Sequence, residues 1–161
     1  DFLSENDLAE FQFHDVTLSP IVDYAYQALA VNEKRKPFAP AIWDRASDQT
    51  QEMEQRWFAG VHSNIGGGYK PDGLANQALH YIVKKATDAG LEFDPVYLAF
   101  FEEHYDSELR NSMSFKYRLL GEYNRKIILG TSSNEKVDDS VYKRIELDGK
   151  YNPVNVPNLP E

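Results

Sequence analysis

The chain has 161 residues, 42% of them hydrophobic and 13% aromatic, enough apolar material for one domain with a packed core. A formal net charge of −9 speaks against a nucleic-acid surface, which needs clustered Lys and Arg, and against general attraction to anionic membranes. With no cysteine there is no disulfide and no thiolate metal site, and no apolar stretch has the length of a membrane span.

Residues 1–18 mix acidic and aromatic side chains without periodicity and read as an entry loop, with His14 structural or solvated. Ser19-Pro20 reads as a helix N-cap followed by proline at the first helical position. Ile21, Val22, Ala25, Ala28 and Leu29 then share a helical face, which carries the predicted helix to about Val31. Asn32-Glu33-Lys34-Arg35-Lys36 is its charged exit. Glu33 and Arg35 are either a locally paired surface turn or a brace beneath a site. Two prolines in Pro37-Phe38-Ala39-Pro40-Ala41-Ile42-Trp43 exclude a regular helix or a central strand. Phe38, Ile42 and Trp43 are expected to anchor that loop to the core.

A polar surface loop follows over residues 44–51, and a strand begins near Glu54. It leads into the stretch that organises the chain: Trp57-Phe58-Ala59-Gly60-Val61-His62-Ser63-Asn64-Ile65-Gly66-Gly67-Gly68-Tyr69. The apolar run predicts a buried strand, and the glycines predict a turn that a partner can approach closely. His62 stands where the strand hands over to a loop, and in α/β enzymes the carboxyl ends of the strands are where ligands bind. His62 is therefore the candidate catalytic acid/base. Ser63, Asn64, Gly66, Gly67 and Gly68 form the candidate substrate or supporting loop beside it.

Residues 74–89 carry the clearest helical periodicity, through Ala75, Ala78, Leu79, Ile82, Val83 and Ala86, with Gly90 as the stop. Strand, glycine turn and amphipathic helix together make an α/β unit. His80 lies within that helix and reads as a partly buried packing residue. Asp94-Pro95 caps a second predicted helix over 96–104. Residues 105–114 read as loop, 115–120 and 126–129 as short strands or irregular packed segments, and 130–139 as another polar loop. A short helix is expected over 140–147, ahead of a proline-spaced, extended tail. No repeat or linker divides residues 1–161, which form one domain or one piece of one.

An acid/base histidine needs an acidic orienter and a group to activate. The nucleophile elbow Gly-x-Ser-x-Gly is absent: Gly60-Val61-His62-Ser63-Asn64 and Gly130-Thr131-Ser132-Ser133-Asn134 both depart from it. If His62 belongs to a serine triad, its serine lies upstream of residue 1. That fits a chain that starts at Asp1 without a methionine. Ser63 and His62 would point to opposite faces of a strand, so Ser63 and Asn64 read as hydrogen-bonding partners of the loop backbone. The glycines match neither the P-loop nor the dinucleotide fingerprint, which leaves phosphate binding a weak reading. His14, His62, His80 and His104 lack metal-ligand spacing, so neither metal nor other cofactor is expected.

Residues 57–69 resemble the hallmark segment of an α/β-hydrolase-type family, long labelled as of unknown function, that includes type VI secretion phospholipase effectors. Ala25-Tyr26-Gln27-Ala28-Leu29-Ala30-Val31-Asn32-Glu33-Lys34-Arg35 with Phe38, Pro40 and Trp43 resembles the same family. So do Ser140-Val141 with Arg144, and Tyr151 with Pro153, Asn155 and Pro157. The resemblance implies a three-layer α/β/α hydrolase-like sheet, of which residues 1–161 are the C-terminal portion. It implies a Ser-Asp-His triad acting on a small-molecule or lipid ester, with His62 as the triad histidine. The serine and aspartate are expected in the missing N-terminal part of the domain. Gln27 stands where that family commonly has histidine, and Asn32 where it commonly has aspartate. A non-enzymatic binding module of the same fold is the alternative. The absence of a signal peptide implies a cytoplasmic protein or a signal-peptide-independent secretion route.

Overall fold

The computed structural model describes residues 15–45, 51–130 and 134–157. Within them a three-stranded, all-parallel sheet is flanked by helices. Strand β1 is Tyr24–Ala30, β2 is Glu52–Phe58 and β3 is Glu135–Val137, with β2 in the middle. Leu29 lies opposite Trp57 on β1 and β2, and Trp57 opposite Val137 on β3.

The helix predicted over residues 19–31 is a turn followed by β1. Val22 N–H donates to the Ser19 carbonyl (3.0 Å), so Ser-Pro starts a tight turn here, with proline at a favoured second position. Ala25, Ala28 and Leu29 match a helical face only because they are small or apolar. A parallel strand covered on both sides reads as an apolar run rather than an alternation. Helix propensity yields to the pairing that β2 offers along all seven residues of β1.

The strands alternate their side chains between two faces. Leu29, Val31, Trp57 and Ala59 enter one apolar cluster, with Ile127 and Val141. Phe58 enters the other, with Ala78, Tyr81, Tyr26, Ala28 and Ile65. The long helix α2, Gly73–Asp88, covers the Phe58 face, and helix α5, Asp139–Leu147, covers the Trp57 face through Val141 and Ile145. On α2 the buried face runs through Leu74, Ala75, Ala78 and Tyr81, while Ile82 is exposed. The Tyr81 ring, 5.6 Å from that of Phe58, sets this rotation. Gly90 ends α2 in the left-handed region (φ +100°), with Leu91 N–H on the Ala86 carbonyl and Gly90 N–H on that of Thr87.

Between β2 and α2 lies a one-turn helix, α1, His62–Ile65. The second predicted helix is only Pro95–Leu98 (α3), capped by Asp94 as expected. Val96, Tyr97 and Phe100 are exposed, so no core draws that helix further. Phe115–Leu119 is a short helix, α4, rather than a strand. β3 lies inside the stretch read as polar loop. Its Glu135 accepts from Trp57 Nε1 (2.8 Å) and its Lys136 donates to Glu54 (2.9 Å), so polar side chains dock this edge strand. Among the described residues no helix is long and apolar enough to cross a membrane.

Candidate active site

After Phe58 the chain leaves the sheet through Ala59, Gly60 and Val61, and His62 opens α1. Gly60 adopts φ +136°, and a Cβ there would fall 2.6 Å from Asn64 Cβ, so the exit requires glycine twice over. The ends of β1 and β2 are laced beyond the strands. Val31 N–H donates to the Phe58 carbonyl (3.0 Å) and Asn32 N–H to the Gly60 carbonyl (2.9 Å). Asn32 Oδ1 accepts from Gly60 N–H and from the Tyr151 hydroxyl, both at 2.9 Å. Both partners are donors, so this latch needs an acceptor, which asparagine and aspartate supply equally. Burial pushes the Tyr151 hydroxyl up to about 12, which keeps it protonated as a donor.

The glycine triplet stops α1. Gly66 N–H returns to the His62 carbonyl (3.0 Å) and Gly68 N–H to the Ser63 carbonyl (2.8 Å), around Gly67 at φ +79°. Two of the three glycine N–H groups are thus committed to the turn. Asn64 is buried, and its Oδ1 accepts from Val61 N–H (3.2 Å) and Arg110 N–H (3.3 Å) while its Nδ2 donates to the Glu108 carbonyl (3.3 Å). Asn64 therefore ties α1 to the loop after α3. Ser63 contributes through its carbonyl, and its side chain backs Gly68 closely, where a Cβ would meet Ser63 Cβ at 3.1 Å.

His62 itself is exposed and borders an open cavity of about 400 Å³. Phe38, Pro40, Ile65 and Ala28 line it together with Gln27 and Arg125, so its wall mixes apolar and polar groups. The Phe38 ring meets the imidazole edge-on, with centroids 5.3 Å apart.

Beneath this turn lies Glu33, whose side chain is 0% exposed. Its carboxylate accepts from Arg35 Nε (2.9 Å), Arg35 Nη2 (2.7 Å), Arg35 N–H (3.0 Å), the Ser112 hydroxyl (3.0 Å) and His62 N–H (3.2 Å). Burial alone would raise this carboxyl. The bonds from Arg35, His62 and Ser112 outweigh it and hold Glu33 down at about 2. Arg35 is raised in turn, chiefly by its hydrogen bonds to Glu33. Arg125 Nε donates to the Glu33 carbonyl (2.7 Å) and its Nη2 to that of Phe38, while burial pulls its guanidinium down. Glu33 and Arg35 thus sit beneath the His62 turn. Ser112 and Arg125 were not marked by the sequence, because each arrives from an irregular segment with no periodicity.

The other histidines lie apart from this turn. His80 Nε2 is bonded to the Phe101 carbonyl (2.6 Å) and packs α2 against the segment after α3. His104 is exposed beside Glu102 (3.3 Å). His14 lies outside the described residues. Among the described residues no group of three or more His, Asp or Glu could hold a metal ion.

A three-stranded parallel sheet flanked by helices, with a glycine-bounded histidine turn beyond the carboxyl end of its middle strand, is a mixed α/β architecture. Residues 2–85, just over half of the chain, match the family described as type VI secretion system phospholipase effector Tle1-like, catalytic domain. The chain belongs to that family. It is also 37% identical over 51 residues to the uncharacterized protein YEL023C of Saccharomyces cerevisiae, covering 29% of this chain and 8% of that protein. The match therefore spans a small part of that relative's length. No solved structure matches it.

Proposed function

We propose that this chain forms the C-terminal portion of a three-layer α/β/α serine hydrolase domain that cleaves a lipid or other ester, with His62 as the acid/base of a Ser-Asp-His triad. The observation that carries the reading is the position of His62: exposed, just beyond the carboxyl end of the central strand, on the rim of an open cavity with mixed polar and apolar walls. Membership of a phospholipase catalytic-domain family supports an ester as substrate. The serine and aspartate belong to sheet segments upstream of residue 1. In support of that, β1 has one strand neighbour among the described residues, its residues 27–30 line the cavity, and the buried Gln27 Oε1 has no hydrogen-bond partner there. In a triad, His62 would take the serine proton as the acyl-enzyme forms and return it to the leaving alkoxide, then activate water for deacylation.

The test uses the natural protein that contains these residues. A serine-directed fluorophosphonate should label it, and His62→Ala should lower ester hydrolysis by about 10³-fold or more, on the scale of losing a triad member. Unchanged hydrolysis in His62→Ala would remove the assigned role. Absence of fluorophosphonate labelling in an active preparation would remove the serine mechanism.

A further inference from the structure

We propose that Arg35 is a positioning residue for the His62 imidazole, acting through the ring of Phe38; this rests on the reading of His62 as the acid/base. Among the described residues the imidazole makes no hydrogen bond, and its ring neighbour is Phe38. An exposed side chain with no such bond turns about its own torsions unless something packs against it. Phe38 therefore sets where the imidazole can rest.

Phe38 in turn needs support. It ends a single 3₁₀ turn, Lys36–Phe38, in a loop interrupted by two prolines. The Arg35 guanidinium carbon lies over its ring, 3.8 Å from the centroid. Tyr117 of α4 closes the group, 5.0 Å from the same guanidinium and edge-on to Phe38 at 6.1 Å. The guanidinium cannot swing away, because two parallel bonds fasten it to Glu33.

The same carboxylate also receives the His62 N–H. The backbone of His62 and the aromatic ring that confines its side chain are consequently referenced to one buried group. The arrangement requires the planar fork of arginine. Lysine keeps the charge but offers neither two parallel donors nor a flat surface for Phe38.

The experiment substitutes Arg35→Lys in the natural protein, with Phe38→Leu as a second variant that leaves the ion pair intact. Two readouts are taken: steady-state ester hydrolysis, and the His62 ring resonance in a ¹H–¹³C spectrum, assigned by its loss in His62→Ala. Both variants should shift that resonance and lower kcat by about tenfold or more, and in Arg35→Lys, which leaves the cavity's lining residues unchanged, KM should stay within about twofold, since misplacing a catalytic group costs rate rather than binding. In the His62→Ala background neither variant should lower the residual rate further, because its effect runs through the imidazole. An unmoved His62 resonance overturns the proposal, as does an equal loss of rate with and without His62. If Arg35→Lys does not fold, Phe38→Leu decides by the same criteria. If His62→Ala leaves hydrolysis intact, the functional reading fails, and the resonance alone still reports whether Arg35 and Phe38 hold the ring.

Discussion

Replacing Glu33 by glutamine should change how stability responds to acid, by an amount that follows from its surroundings. The carboxyl is held at about 2 in the fold, against an ordinary value of 4.5. A depressed carboxyl stabilises the fold above its unfolded value and loses that contribution as pH falls through the folded one. A gap of about 2.5 units corresponds to about 3 kcal/mol, fully present at pH 6 and above. About 2 kcal/mol of it should be gone by pH 3, and nearly all of it by pH 2. Glutamine keeps the shape of the side chain but does not titrate. It also leaves the half-buried Arg35 without its anion, a cost that is constant across this range because arginine stays charged. The measurement is urea denaturation of the wild-type natural protein and Glu33→Gln between pH 6 and pH 2.5. The stability difference between them should shrink by about 2 kcal/mol or more toward the acid end. Taking the difference cancels the other carboxylates, Glu54 included, whose pairing with Lys136 and Arg56 also depresses it. Parallel pH profiles for the two proteins would show that Glu33 does not carry a tightly held charge, and the account of the buried cluster would fall.

Other substitutions probe the backbone of the turn. Gly60→Ala combines a positive φ with a Cβ contact of 2.6 Å, and should cost about 3 kcal/mol or more in urea denaturation. Gly149→Ala, which meets nothing within 4 Å, should be within about 0.5 kcal/mol of wild type, and equal losses at both positions would refute the steric argument. Asn32→Asp should keep the latch to Gly60 and Tyr151 with little loss, whereas Asn32→Ala orphans two donors and should cost about 2 kcal/mol. Equal stabilities for those two variants, measured the same way, would count against the latch.

Legibility in the sequence followed the kind of burial each element has. The central strand was readable from its apolar carboxyl end, Trp57 and Phe58 running on into Ala59, although Glu52, Glu54, Gln55 and Arg56 make the rest of it polar; α2 was readable because it keeps a helical stripe ended by Gly90. β1 was misread because Ala25, Ala28 and Leu29 suit a helix face and a doubly covered strand alike. What decides between them is β2, which lies 28 residues further along at every step of the register, as in Tyr24 against Glu52. β3 was invisible because it is short and charged: Glu135 and Lys136 look like surface until the Trp57 indole N–H and the Glu54 carboxylate are seen to bond them. The site divided in the same way. The turn at His62 could be placed from its motif, whereas Glu33 and Arg35 were legible only as the charged exit of a predicted helix, with a paired surface turn and a brace both open. Ser112 and Arg125, far along the chain, could not.

The glycines illustrate why a motif must be read through its hydrogen bonds. Three in succession invite the idea of a cradle of free N–H groups for an anion. Here Gly66 and Gly68 give theirs to the carbonyls of His62 and Ser63, and Gly67 supplies the left-handed step that makes this possible. Gly60 supplies the corresponding step on entry. Glycine at both ends lets one helical turn leave the sheet and stop within four residues, so His62 stays at its first position over the cavity. A longer α1 would need Gly67 to become an ordinary helical residue. Gly67→Ala tests this directly: alanine disfavours the left-handed step by about 1 kcal/mol, with no side chain within 4 Å to clash. The expected result is a small loss of stability and a larger loss of hydrolysis, as the turn loosens beneath His62. A phosphate cradle would instead show its defect as weaker binding of inorganic phosphate, measured by calorimetry, with hydrolysis unchanged.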